Sequence, residues 1–338
     1  MSWHAFEIVG EPYERMRGLL FRPFGRSFYL KLALVALIIS GLNLNQGAHY
    51  DYGSGEGAGF DSMTAYVILV VILIVSLVFA VISGIVSAIF EFVFLDAVIS
   101  KNVEITGGFS KNFLPGIRLF AFRAVLMIAL TVVFGVVFGV AYALGFGSLD
   151  FTVKIALTLL AAAALFPVIA FFAVAMVFTR DFVVPIMRSK KVGILSGWGE
   201  LLSSMKNNKA QFGVYLVAKT ILSGIAWIVE LLALAAVLTV FVVVFGAPLA
   251  AVAILLYLTG FGFSSLSSLG ALLLPAIVVG VLLFFAVALA FAYVLSAVTL
   301  PISVFFRYYS LLFLDRIAPE HGVLGGAASA KPTDERGV

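Results

Sequence analysis

The stretch GILSGWGELLSSMKNNKAQFGVYLVAKTIL, residues 193–222, decides how this chain is read. It opens as an amphipathic helix, with Ile194, Leu195, Trp198, Leu201, Leu202 and Met205 recurring at helical spacing on one face. A polar turn follows, marked by Lys206 and Lys209, and the chain then runs back into apolar sequence carrying Lys219 with it. A looser copy, VEITGGFSKNFLPGIRLFAFRAVL (103–126), builds its stripe from Phe109, Phe113 and Ile117 and carries Arg123 into the next apolar run. Each copy predicts a helix lying in the plane of a membrane surface, an elbow that leads into a span. Trp198 is the kind of ring that anchors at such an interface.

Composition agrees with a membrane setting. Hydrophobic residues make up 63% of the chain and charged residues 11%, against about 25% charged in soluble domains. Residues 62–90, 124–149 and 155–179 are free of Lys, Arg, Asp and Glu, and so is all of 231–306. A span needs about 20 apolar residues, so the class is all-α, a polytopic membrane helical bundle. Long continuous apolar runs are the opposite of the short alternating segments of a membrane β-barrel. Spans are expected near 28–44, 64–99, 117–145, 152–187, 210–245 and 271–314.

With these spans every Lys and Arg except Lys154 lies on, or nearest, one side, and the opposite loops hold Asp51, Glu56, Asp61 and Asp150. That asymmetry predicts cytoplasmic N- and C-termini in a cell membrane. It also accounts for the net charge of +4 without nucleic acid, which would need a solvated basic domain. The first 27 residues mix Glu7, Glu11 and Glu14 with arginines and show no cleavable signal.

The expected organisation is a cytoplasmic amphipathic segment at 1–27, a six-helix transmembrane domain at 28–314 and a disordered cytoplasmic tail at 315–338. In the first segment Tyr13, Met16 and Leu20 form an apolar stripe for a helix on the headgroups. The segments FVFLDAVIS (92–100), MVFTRDFVVPIM (176–187) and SVFFRYYSLLFL (303–314) close each pair of spans in a similar way. The six helices therefore read as three quasi-repeated units of elbow plus hairpin. Residues 247–270 are short of a span and read as a re-entrant segment or an extracellular cap. Pro167 and Pro275 are candidate breaks in the fourth and sixth spans.

Ionisable groups inside a membrane are costly and mark candidate sites. Glu230 stands near the middle of the fifth span, and Lys219 lies about 16 Å away along the same helix. Glu230 reads as a protonated structural group or as a proton- or cation-linked site. Glu91 and Arg123 enter neighbouring spans from the same side and suit an ion pair. Arg118, Arg180, Lys206, Lys209 and Arg307 read as interfacial cations that snorkel, and Arg123 and Lys219 can do the same from inside their spans. Helix packing is expected along Ser76, Ala80, Gly84 and Ala88, and at Gly135 and Gly139, within one subunit or at a homodimer seam.

Enzyme chemistry finds little footing. The chain has no cysteine, and His4, His49 and His321 lie outside the spans and far apart. No metal-protease, nucleophile-elbow, P-loop or dinucleotide pattern occurs. His49, Asp51, Glu56 and Asp61 fit a solvated loop better than a metal site, so no metal and no cofactor are expected.

The ordered set LLFRPFGRSFYLKLALVALI (19–38), EFVFLDAVIS (91–100), IRLFAFR (117–123), FVVPIMRSKKVGILSGW (182–198) and FRYYSLLFLDRI (306–317) resembles an uncharacterised family of archaeal six-span membrane proteins. The likeness covers residues from about 10 to 316. The layout is more distantly similar to the membrane domain of some glycerophosphodiester phosphodiesterases, without their catalytic barrel. The resemblance implies fold and topology and supplies no catalytic residues. The expected function is non-enzymatic, organising lipids or partner proteins through the elbows, with membrane lipids and a homo-oligomer or membrane protein as partners. The alternative is transport of a lipid, small apolar solute or cation with Glu230 near the path.

Overall fold

The computed structural model describes residues 4–22, 24–41, 62–143, 147, 149–258, 273–321 and 323–324. The Gly-rich loop with His49, Asp51, Glu56 and Asp61, the latter part of the 247–270 segment, and most of the tail lie outside the described residues. In chain order the α-helices are α1 (His4–Glu7), α2 (Gly10–Leu20), α3 (Arg26–Gly41), α4 (Ser62–Ser100), α5 (Ile105–Lys111) and α6 (Phe113–Ala143). They continue with α7 (Phe151–Phe178), α8 (Val184–Lys190), α9 (Ile194–Phe241), α10 (Ala247–Leu258) and α11 (Leu273–Ile317). No strand occurs among the described residues.

Among the described residues, 5 helical stretches are long and apolar enough to cross a membrane: Tyr66–Ser100, Phe113–Ala143, Phe151–Lys190, Asn208–Ala251 and Val278–Ile317. The chain is a membrane-embedded helical protein. In α3, 16 residues are helical, which reach about 24 Å, below the length of an upright span.

The helices are packed at one end and apart at the other. Buried side chains concentrate in 88–98, 178–187, 201–218 and 300–314, all toward the end that bears the charges. Toward the other end the apolar residues of α4 before Ser83, of α6 after Arg123 and of α7 before Val174 are largely exposed. Lipid tails are as apolar as leucine, so these surfaces gain little from packing on one another and lie ready for acyl chains.

Close approach of α4 and α6 rests on glycine. A Cβ on Gly116 would meet the Cα of Ile89 at 2.7 Å and its backbone nitrogen at 3.0 Å, and one on Gly84 would meet the Phe120 ring at 2.6 Å. Of the expected packing stripe, Gly84 and the buried Ala88 face α6, whereas Ser76 and Ala80 are exposed. Among the described residues nothing lies within 4 Å of a Cβ on Gly135 or Gly139, so these two make no close helix contact there. Gly116→Ala is expected to cost about 1–3 kcal/mol through overpacking, read as thermal unfolding in detergent, while Gly139→Ala costs nothing measurable. Equal stability of both variants would contradict the backbone contact.

Two prolines leave a mark on helix geometry. A π-turn at Thr179–Val183 joins α7 to α8 just before Pro185, and a second at Val242–Gly246 joins α9 to α10 just before Pro248. Proline has no N–H for the preceding turn and its ring clashes with the carbonyl four residues back, and a π-turn relieves both. The expected breaks lie elsewhere: α7 runs through Pro167 without interruption, and Pro275 sits in the first turn of α11, where its missing N–H costs nothing.

The polar turn after Met205 is a kink at Asn208 (φ −131°, ψ 32°), where two helical segments of α9 meet and the span Asn208–Ala251 begins. Ile194, Trp198, Leu201 and Met205 pack inward, but Leu195 (76% exposed) and Leu202 point away, so the six residues do not share one buried face. Trp198 packs against Phe122 with ring centroids 6.2 Å apart. In α2, Pro12, Met16, Leu19 and Leu20 are buried and Tyr13 is exposed. This helix packs its buried face on α11.

The tail expected from residue 315 is ordered through its first residues. Ala318, His321 and Val323 are buried, and the His321 Nε2 stands 3.0 Å from the Ser204 hydroxyl. Apolar Ile317, Val323 and Leu324 join the core there, which keeps this segment on the body of the protein. Burial lowers the His321 pKa from its ordinary value by desolvating the charged ring.

Candidate functional site: a charged hub beside an apolar crevice

The π-turn sets Arg180 and Asp181 side by side where α4, α6, α9 and α11 converge. Glu91, only 2% exposed, is the centre. Arg123 Nη2 donates to its Oε2 at 2.5 Å, and its Oε1 has Arg307 Nη2 at 3.5 Å and Arg180 Nε at 3.8 Å. Arg307 Nη1 also donates to the Arg180 carbonyl at 2.8 Å. Next to this hub Asp181 accepts from the Tyr215 hydroxyl at 2.9 Å and from the Lys219 ammonium. Around them Tyr215 stacks on Tyr309 with ring centroids 5.3 Å apart and packs at a tilt against Phe313 at 4.5 Å.

Arg123, Arg180, Arg307 and Lys219 thus face the carboxylates Glu91 and Asp181, and cations are in excess. A third carboxylate, Asp96, pins the end of α4: it accepts from Arg188 and from Asn112 Nδ2 at 3.0 Å.

The sequence-predicted residues divide clearly. Glu91 and Arg123 pair, and Lys219 pairs with Asp181, a partner that the sequence reading missed. Arg307 is not an interfacial anchor: it is buried, drawn in by Glu91 and a backbone carbonyl. Lys219 likewise turns inward to Asp181 rather than outward to headgroups. Arg118, Lys206 and Lys209 remain exposed.

Glu230 and Lys219 share a cavity. The pocket, about 210 Å³, is lined by Arg180, Asp181, Lys219, Ser223, Glu230 and Arg307 among others. A larger crevice of about 540 Å³ adjoins it between α3, α9 and α11, and Arg180, Glu230 and Ser303 belong to both walls. Its remaining lining is mainly apolar, including Leu37, Trp227, Leu231, Leu234 and Leu295. The crevice is of the size of a small-molecule site. One wall is held by a polar zipper: Tyr29 donates to the Ala297 carbonyl at 2.7 Å, Ser296 to Ala33 at 2.9 Å and Tyr293 to Leu30 at 3.1 Å. These bonds fix α3 on α11.

A family model matches residues 3–324, which include every described residue. The chain belongs to that family, the family of unknown function DUF7544. No curated protein and no solved structure matches, so the archaeal attribution and the likeness to the phosphodiesterase membrane domain rest on the sequence motifs alone. The DUF7544 match spans the charged hub and every lining residue of both cavities.

Proposed function

We propose that this DUF7544 protein is a non-enzymatic integral membrane protein that binds a membrane lipid in the crevice between α3, α9 and α11. Binding there organises lipid at the charged face of the membrane. The observation that carries this reading is the shared wall: a polar pocket and an apolar crevice meet at Arg180, Glu230 and Ser303. An amphiphile has the same two-part chemistry. In this reading α3 is a sixth span. The helices then fall into three successive units, α2–α4, α5–α8 and α9–α11, with the charged hub and both termini on the cytoplasmic side of the cell membrane.

The test is native mass spectrometry on gently extracted full-length chain, with Ala292→Phe as the comparison because Ala292 lines the crevice. The wild-type chain is expected to retain lipid and the crevice-filling variant to lose it at unchanged thermal stability. A wild-type chain that retains none would overturn the reading. Transport of the bound amphiphile is the second reading, favoured by Glu230 and Lys219 lining one cavity. Liposome flux that falls in Ala292→Phe would support it over static binding.

A further inference from the structure

Two ionisable side chains on the shared wall, Arg180 and Glu230, have no hydrogen-bond partner for their terminal groups among the described residues. Arg180 is 55% exposed, approaches Glu91 only at 3.8 Å, and its guanidinium donates no hydrogen bond among the described residues. A guanidinium has five N–H donors in a planar fork suited to phosphate. Glu230 is exposed and makes neither an ion pair nor a hydrogen bond among the described residues. An ionised carboxylate only accepts, so its complement is a cationic donor.

A purely anionic headgroup would satisfy Arg180 but set a second negative charge beside Glu230. A simple cation would satisfy Glu230 but meet Arg180, Lys219 and Arg307 in the same pocket. Lys219 and Asp181 already neutralise one another, and Arg123 and Arg307 are committed to Glu91. A ligand carrying both signs answers both side chains, which line the same two cavities. Its tail would leave along Trp227, Leu231 and Leu234.

We infer that the crevice selects a phospholipid whose headgroup bears a primary amine, with the phosphate on Arg180 and the ammonium on Glu230. The inference rests on the lipid-crevice reading and deepens it by naming the headgroup. Ammonium N–H donation to a carboxylate is a charge-assisted bond that a quaternary amine cannot make.

The experiment offers the detergent-solubilised full chain an equimolar mixture of phosphatidylethanolamine, phosphatidylcholine and phosphatidylglycerol with identical acyl chains, read by native mass spectrometry. Phosphatidylethanolamine is expected to be retained about tenfold over each of the others. Glu230→Gln brings the ratio close to one, and Arg180→Gln lowers retention of all three lipids. Thermal unfolding of each variant reports that the fold survives. Retention of all three lipids without preference, or a preference that Glu230→Gln leaves intact, overturns the headgroup assignment alone. Retention of no lipid by the wild-type chain overturns the crevice reading with it.

Discussion

Replacing Glu91 with alanine is expected to remove about 3–5 kcal/mol of stability, the cost of breaking a buried ion pair by deleting one partner. Glu91 is the carboxylate that Arg123, Arg180 and Arg307 converge on. Its loss leaves Arg307, whose side chain is 4% exposed, with a backbone carbonyl as its remaining partner in the hub. Arg123 and Arg180 are more exposed and regain some water, which keeps the effect from exceeding that range. A fold whose margin is about 5–15 kcal/mol would lose a large share of it. Chemical unfolding in detergent, followed by tryptophan fluorescence, measures the change. A loss below about 1 kcal/mol would place the hub among solvated surface pairs instead.

The second large effect is expected at Asp181. Asp181→Ala leaves the Lys219 ammonium without a carboxylate and the buried Tyr215 hydroxyl without its acceptor. The sum is about 3 kcal/mol, below the full buried-pair cost because the Lys219 stem can carry its charge toward water. Adding Lys219→Met to Asp181→Ala removes the stranded charge and is expected to recover about 1–2 kcal/mol. Unfolding of both single variants and the double variant completes the cycle. Strict additivity of the two substitutions would mean that Asp181 and Lys219 do not act as a pair.

These two residues also show what was legible beforehand. The apolar runs announce the long helices because the bilayer requires them, and the depth of Glu91 and Arg123 in neighbouring runs suggests their pairing. Asp181 passes unnoticed because it follows Arg180 directly and looks like half of a local surface pair. Its inward aim comes from the π-turn, whose signal in sequence is Pro185 four residues later. Arg307 reads as an interfacial cation because position along an apolar helix carries no information about which neighbours approach it.

Packing was the least legible feature. In a membrane, lipid-facing and protein-facing positions are equally apolar, so the stripe from Ser76 to Ala88 looks uniform although only Gly84 and Ala88 meet α6. Gly116, whose added Cβ would strike the backbone of Ile89, stands alone in LPGIRLF, outside any small-residue repeat. Glu230 was conspicuous in sequence, yet its cavity depends on three helices far apart in the chain, α3, α9 and α11.

A structure of the full chain in nanodiscs of mixed phospholipids tests the central claim most directly. The account predicts elongated density between α3, α9 and α11, with its polar end within hydrogen-bonding distance of Arg180 and its tail along Leu231 and Leu234. Closure of α3 against α9 with no crevice left, or a protein chain filling it, would contradict the account.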